Sequence, residues 1–381
     1  MSSKPILPGA VLGILGGGQL GRMFTVAART MGYQVMVLDP DPQSPAGQMA
    51  DVHLQAGYDD HGVLKDMGAA CAAVTTEFEN VPASSLIELS RYCRVAPNAD
   101  AVAIVQDRSR EKSWLRGNGF ATAPFALIEN ADGLEGAAAK IGFPAILKVS
   151  RFGYDGKGQF RVGSSADLKA AYARLNGVPC VLECLVRLDC EVSVVLARND
   201  AGECVCFPVG ENRHEHGILE MTIVPARVNA ELASRAQAQA VAVAEKLRYV
   251  GTLGVEFFVS DGGLLINEIA PRPHNSGHYT LDACVTDQFE QQVRALCGLP
   301  LGDARLLTPV AMVNLLGDIW RPEPDWMSLL AHPTIRLHLY GKTEARAGRK
   351  MGHYNCLATS IEEAEELART TRSRLAGLAR P

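Results

Sequence analysis

The chain has 381 residues, 47% of them hydrophobic and 21% charged, with 36 Gly and 20 Pro along its length, enough for two or three domains with sizeable cores. A net charge of −5 argues against a general nucleic-acid binder while leaving room for a local basic pocket. No apolar run approaches the ~18–20 residues of a membrane helix. The first residues, Met-Ser-Ser-Lys-Pro-Ile-Leu-Pro, offer no long apolar segment or cleavage site, so no signal peptide is expected. The ten cysteines include no Cys-x-x-Cys pair, and several, such as Cys180, Cys204 and Cys206, lie in apolar runs. They read as buried, reduced thiols of a cytoplasmic protein, not as a zinc site.

In chain order, residues 11–16 predict a short apolar strand, followed by a glycine turn and a helix over 20–31 with apolar spacing at Met23, Val26, Ala27 and Thr30. A strand over 34–38 ends in Asp39-Pro40; residues 72–76 predict another, and Val95-Ala-Pro97 ends one more. This alternation predicts a Rossmann-like parallel α/β sheet over 1–106. From Asp107 the character changes to α+β. A helix over 107–118 leads into an apolar strand at 144–149 and a glycine-rich loop. A helix over 165–175 precedes a strand over 180–185. Strands at 191–198 and 203–209 and a long alanine-rich helix over 230–247 follow. The segment 107–300 is expected to be a second unit. Residues 301–381 form a third, with strands at 310–315 and 335–339, a basic stretch over 341–353 and a helix near 361–369.

Two apolar runs, 254–259 and 264–266, predict a β-hairpin with one carboxylate on each strand, Glu256 and Glu268. Facing carboxylates suit Mg²⁺, a hard cation that prefers oxygen ligands and is often shared with nucleotide phosphates. Arg272 and His274, just beyond, can receive an anionic second substrate. Gly16-x-Gly18-x-x-Gly21 follows a strand and opens a helix, which on its face is a dinucleotide fingerprint. No hydride-transfer site accompanies it, and a helix N-terminus accepts any phosphate or carboxylate. Another ligand, or simple strand-to-helix packing, therefore stands beside NAD, and Gln19 is the polar residue of that loop. A second glycine loop, Gly153-Tyr154-Asp155-Gly156-Lys157-Gly158-Gln159, lacks the ending of a P-loop. Its amides and ammonium can close over phosphates, with Lys148 on the preceding strand beneath them. Glu183-Cys184-Leu185-Val186 and Glu191 flank a short linker of the kind that holds adenosine.

Together these elements resemble the ATP-grasp superfamily, and within it the 5-(carboxyamino)imidazole ribonucleotide synthases, the ATPase-subunit type of phosphoribosylaminoimidazole carboxylase in purine biosynthesis. The carrying motifs are Leu15–Met23, Thr76-Glu-Phe-Glu-Asn80, Gly153–Gln159, Asn267–His278 and Gly348-Arg-Lys-Met-Gly-His353. The resemblance implies an N-terminal substrate domain over 1–106, a central ATP-grasp domain over 107–300 with a small lid over about 120–185, a small C-terminal domain over 301–381 and a homodimer. It implies ATP contacts from Arg108, Lys148, Gly153–Gln159, Glu183–Val186, Glu191, His214, Asn267 and Glu268, with Mg²⁺ on Glu256 and Glu268. The ribonucleotide would meet Tyr154, Arg272, His274, Arg349 and Lys350. By similarity to the formate-using glycinamide ribonucleotide enzyme, Gln19, Glu77, Asn275 and Lys342 would join them. His216, Asp39 and the cysteines receive no role.

The implied reaction joins ATP, bicarbonate and 5-aminoimidazole ribonucleotide through carboxyphosphate. Asp155 would take the amine proton, Arg272 would hold the carboxyl oxygens, and Lys148 would neutralise phosphate charge. A formate-dependent ATP-grasp transformylase and a nucleotide-binding protein without turnover are the alternatives.

Overall fold

The computed structural model describes residues 4–153, 156–320 and 323–378. Apolar runs near the N-terminus form β1 (Val11–Leu15), β2 (Gln34–Leu38), β3 (Val52–Leu54), β4 (Ala73–Thr76) and β5 (Arg94–Val95). They make a parallel sheet of order β3-β2-β1-β4-β5, as the strand–helix alternation predicts. Its central strands are covered on both faces, which is why they read as continuous apolar runs; Leu12, Ile14, Val35, Val37 and Leu38 are all buried. The helix after β1, Gln19–Thr30, buries Leu20, Met23, Phe24 and Ala28. The expected stripe through Val26 and Thr30 is wrong in its direction. At 100° per residue Val26 falls about 120° from Leu20, and both Val26 and Thr30 face solvent.

A second, smaller sheet comprises β6 (Phe125–Ile128), β7 (Ala145–Val149), β8 (Gln159–Val162) and β9 (Cys180–Cys184), antiparallel in the order β6-β9-β7-β8. Helices Gly133–Ile141 and Ser165–Arg174 pack on it through Leu134, Ala137, Leu168 and Ala171. The glycine flap is the connection from β7 to β8.

The third sheet contains β10 (Cys190–Arg198), β11 (Cys204–Cys206), β12 (Gly210–Glu215), β13 (Ile218–Val224), β14 (Gly251–Ser260), β15 (Gly263–Ala270), β16 (Val310–Leu316), β17 (Ile335–Leu339) and β18 (Lys350–Leu357). Its order is β15-β14-β10-β12-β13-β16-β18-β17, with β11 also paired to β10. The helix Ala230–Lys246 lays Ala236, Ala240, Val243 and Ala244 against Val194, Leu253 and Val255. Because β13 pairs with β16, the sheet runs on without a break past residue 300, where the sequence suggests a change of unit. The strand expected over 203–209 shortens to three residues, the last helix lengthens to Ile361–Leu378, and the basic stretch ends in a strand, β18.

Candidate active site

The glycine turn comes first in the chain. Gly16 has φ +101°, a conformation that favours glycine, and the helix from Gln19 presents free N–H groups at its start. Three amides of the turn and the first helical turn are occupied from within the protein. Gly18 N–H and Gly21 N–H each donate to Glu77, at 2.6 Å, and Gly17 N–H donates to Asp39 Oδ2 at 2.7 Å. Tyr58 also donates to Asp39 Oδ2 at 2.7 Å, so Asp39, to which the sequence gives no role, braces the turn. A carboxylate thus sits where a dinucleotide phosphate would need to bind, with the favourable sign for a helix N-terminus. Burial raises the Glu77 carboxyl, and the two amides only partly offset it. Lys342 Nζ donates to Gln19 Oε1 at 2.5 Å and to the Lys350 carbonyl at 2.7 Å. Gln19, Glu77, Lys342 and Lys350 are thereby brought to one place from three distant segments.

Glu256 and Glu268 are direct cross-strand partners on β14 and β15, beside a bulge between Glu256 and Phe257. Like charges placed so are unfavourable unless each is compensated. Arg108 Nη2 reaches Glu268 Oε2 at 3.2 Å, and His274 Nε2 reaches Glu256 Oε1 at 3.2 Å. Burial would raise the Glu256 carboxyl. His274, His214 and Lys350 outweigh it and hold it at about 2. His274 is fixed from its other nitrogen: Ser276 N–H donates to Nδ1 at 3.3 Å and its hydroxyl lies 2.8 Å away, leaving Nε2 toward Glu256. His214 Nδ1 stands 2.9 Å from Glu191 Oε2. The donor set is two carboxylates, the hard-oxygen chemistry that Mg²⁺ takes. Among the described residues no group of three or more His, Cys, Asp or Glu is placed to hold a metal ion by itself.

Facing this hairpin is a buried charge cluster. Lys148 on β7 donates to Glu183 Oε2 on β9 at 2.9 Å. Lys112, fully buried on the helix Arg108–Gly117, lies 3.6 Å from the same oxygen and donates to the Asn267 carbonyl at 2.9 Å. Burial pushes the Glu183 carboxyl up, but Lys148, Lys112 and Arg108 hold it at about 2. Burial lowers the Lys112 ammonium, with Glu183 opposing. Glu111 on the same helix accepts Ile269 N–H at 2.6 Å and locks β15 beside it. Glu183 Oε1 and Asn267 Oδ1 are buried without a hydrogen-bond partner among the described residues. Cys184 ends β9, and Leu185 and Val186 follow it in the linker to β10, all three half-buried.

The flap begins where Lys148 pairs with Gln159. Gly156 and Gly158 have φ of +77° and +74°. A Cβ on Gly156 would come within 2.8 Å of the His216 carbonyl, so only glycine lets the flap meet the β12–β13 turn. His216, left without a role by the sequence, is thus part of the surface the flap meets. Gly153, Lys157 and Gly158 are described; Tyr154 and Asp155, expected at the ribonucleotide, lie outside the described residues.

Arg272 follows β15 between two prolines and binds Glu79 Oε2 through Nε at 2.7 Å. Asn275 is engaged in a reciprocal amide pair with Asn314, at 3.0 and 2.8 Å, which uses both ends of its side chain. Arg349 sits in the turn before β18 and donates to the Glu344 carbonyl at 2.8 Å, whereas the charge of Lys350 is felt by Glu256 and His214. The two neighbours therefore face different surroundings. Sequence reasoning misses Lys112, Glu111, Glu79, Ser276 and Asn314. Of these, only Glu79 and Ser276 lie within motifs it singles out.

Three family models match successive parts of the chain. Residues 10–106 match the ribonucleotide synthetase preATP-grasp domain, 113–289 the ATP-grasp domain, and 310–367 the phosphoribosylaminoimidazole carboxylase C-terminal domain. The chain is 44% identical over 364 residues to the N5-carboxyaminoimidazole ribonucleotide synthase of Bacillus subtilis (strain 168), covering 95% of each. It superposes with TM-score 0.94 and 44% identity on a crystal structure of an ADP complex of N5-carboxyaminoimidazole ribonucleotide synthetase, covering 99% of each chain. With the Aspergillus clavatus N5-carboxyaminoimidazole synthase in complex with ADP and 5-aminoimidazole ribonucleotide it shares 30% identity and TM-score 0.89, covering 97% of this chain and 99% of that one. The chain belongs to the N5-carboxyaminoimidazole ribonucleotide synthase family of ATP-grasp proteins.

Proposed function

We propose that this protein is an ATP-dependent carbon–nitrogen ligase that carboxylates 5-aminoimidazole ribonucleotide with bicarbonate, giving 5-(carboxyamino)imidazole ribonucleotide in de novo purine biosynthesis. The observation that carries the reading is the facing pair Glu256 and Glu268, flanked by Arg108 on one side and His274 on the other. In this reading residues 1–106 are a substrate domain, 107–300 the ATP-grasp domain with its lid over about 120–185, and 301–381 a C-terminal domain.

Arg108, Lys148, the flap, Glu183–Val186, Glu191, His214, Asn267 and Glu268 bind ATP. The orphaned Glu183 Oε1 and Asn267 Oδ1 would be satisfied by donors on the nucleotide. Glu256 and Glu268 would hold Mg²⁺, which when bound neutralises phosphate charge and ties it to the protein. A bicarbonate oxygen attacks the γ-phosphorus, the bond to the β-phosphate oxygen breaks, and ADP and carboxyphosphate form. The ribonucleotide amine attacks the carboxyl carbon, the carbon–oxygen bond to phosphate breaks, and phosphate leaves with its electron pair. Lys148 and the flap amides hold charge on the transferring phosphoryl group. Arg272 orients the carboxyl oxygens. Asp155 receives the amine proton in this scheme, with Tyr154 against the ribonucleotide. His274, Gln19, Glu77, Asn275, Lys342, Arg349 and Lys350 complete that pocket. Carboxyphosphate is labile in water, which gives the flap's approach to the His216–Gly217 turn a chemical purpose.

The protein is read as a cytoplasmic homodimer. All ten cysteines are free thiols, which supports a reducing compartment, and light scattering would test the dimer. The reaction is tested by ADP release from purified protein with ATP and Mg²⁺, omitting bicarbonate or the ribonucleotide in turn. Full release requires both. Release with formate in place of bicarbonate would place the protein with the transformylases.

A further inference from the structure

We propose that Glu79 is a positioning residue for carboxylation, acting through the guanidinium of Arg272. The proposal rests on the reading that Arg272 holds bicarbonate and the carboxyl group derived from it.

The segment after β4 carries two glutamates that diverge. Glu77 turns inward onto the amides of Gly18 and Gly21, while Glu79 reaches across to Arg272, 193 positions away, at 2.7 Å. Between them Phe78 packs edge-on against Tyr58, ring centroids 5.5 Å apart, and the Phe78 carbonyl accepts Thr76 Oγ1–H at 3.0 Å. These contacts fix the backbone from which Glu79 projects. On the other side, Pro271 and Pro273 restrict the backbone around Arg272, whose N–H closes a tight bend onto the Ala270 carbonyl at 2.8 Å. Both partners are only partly reached by solvent, their side chains 24% and 17% exposed.

The pattern of bonds defines what Arg272 can still do. Glu79 takes the Nε–H, and Nη1 gives one hydrogen to the Pro273 carbonyl at 3.2 Å. Nη2 makes no hydrogen bond among the described residues. A guanidinium held at Nε presents its far edge, Nη1 and Nη2 together, as a two-pronged donor, the geometry that matches two oxygens of a carboxylate-like anion. Without Glu79 the side chain would be free to swing toward Glu268, the next carboxylate whose charge it feels. Glu79 costs some of the positive charge that attracts an anion. Its contribution is therefore orientation, and it needs an acceptor oxygen there more than a charge.

That distinction sets the test. Steady-state ADP release is measured with bicarbonate, ribonucleotide and ATP each varied, for Glu79→Ala, Glu79→Gln, Arg272→Ala and the double variant Glu79→Ala/Arg272→Ala. Glu79→Ala is expected to raise the apparent KM for bicarbonate roughly 10-fold or more, the effect of losing a hydrogen bond to a charged group, with the KM for ATP unchanged. Glu79→Gln, whose amide oxygen still accepts the Nε–H, restores bicarbonate use to within about 3-fold of wild type. In the Arg272→Ala background, Glu79→Ala has no further effect, because it acts only through that side chain. An unchanged bicarbonate KM in Glu79→Ala overturns the proposal. So does Glu79→Gln failing as badly as Glu79→Ala, since the charge would then act on substrate directly, and so do additive losses in the double variant. If the wild-type protein instead shows no bicarbonate-dependent ADP release, the underlying functional reading fails, and that outcome is read before any variant is compared.

Discussion

Replacing Lys112 with Met tests how the buried charge cluster is held. Lys112 has no exposed side-chain surface; its ammonium lies 2.9 Å from the Asn267 carbonyl and 3.6 Å from Glu183 Oε2. Met keeps most of the volume, so little cavity term is expected. The Asn267 carbonyl loses its side-chain donor, at about 1–3 kcal/mol. The ion pair with Glu183 contributes less than its charges suggest, because desolvating Lys112 costs energy that the variant no longer bears, and Lys148 still holds Glu183 at 2.9 Å. The net expectation is a loss of about 2 kcal/mol. Glu183→Gln is the contrasting change. It leaves Lys112 and Lys148 buried near each other without their shared anion, at about 3–5 kcal/mol. Urea unfolding of wild type and both variants, without nucleotide and followed by a probe of the lid and central sheet, checks the order. Lys112→Met as stable as wild type, or less stable than Glu183→Gln, would refute this account of the cluster.

Other consequences are simpler to measure. Glu268→Gln should leave the circular dichroism spectrum intact and remove most ADP release, since one carboxylate charge is lost at the candidate metal position; near wild-type turnover at millimolar Mg²⁺ would move the site elsewhere. Lys350→Ala should raise the apparent KM for the ribonucleotide about 10-fold or more and leave that for ATP nearly unchanged; the reverse pattern would assign β18 to the nucleotide. Cleavage at Lys157, on the exposed part of the flap, should slow when ATP and Mg²⁺ are added, and equal rates would count against closure. For pH, Glu183 and Glu256 are both depressed from 4.5 to about 2 in the folded protein. The unfolded chain therefore binds more protons between those values. Their stabilisation is present above about pH 4.5 and is lost as pH falls toward 2. Glu183→Gln should flatten part of that acid limb in a urea titration, and an unchanged limb would contradict the assignment.

The parts that announced themselves in the sequence are those with a local period or cap. The helix expected over 107–118 is present as Arg108–Gly117, with Asp107 as its cap, accepting from Ser109 and Arg110. The hairpin with Glu256 opposite Glu268 follows from two apolar runs and a short turn. Other features are joined by contacts that leave no local trace. Arg272 meets Glu79 across 193 positions, Lys112 meets Asn267 across 155, and Gly18 meets Glu77 across 59. Nothing in a fully polar Arg-Ser-Arg-Glu-Lys run says that Glu111 and Lys112 are buried, because their partners arrive from β9 and β15. The glycine fingerprint is ambiguous for the same reason: the carboxylate that its Gly18 and Gly21 amides bind comes from the segment after β4 of the protein itself. The strand at Lys350–Leu357 hides behind its basic start, since Arg349 ends a turn and only the following residues join the sheet.

In the proposed reaction bicarbonate is activated by phosphorylation before the amine captures its carbon. This order is tested most directly by supplying ¹⁸O-labelled bicarbonate with ATP, Mg²⁺ and 5-aminoimidazole ribonucleotide, and analysing the released phosphate by mass spectrometry or ³¹P NMR. In the proposed sequence the oxygen that attacks the γ-phosphorus stays on phosphorus when the carbon–oxygen bond breaks. One ¹⁸O should therefore appear in inorganic phosphate for each ADP formed. Phosphate carrying no label, formed at the same rate as ADP, would mean that water attacks the γ-phosphate, and would contradict the account.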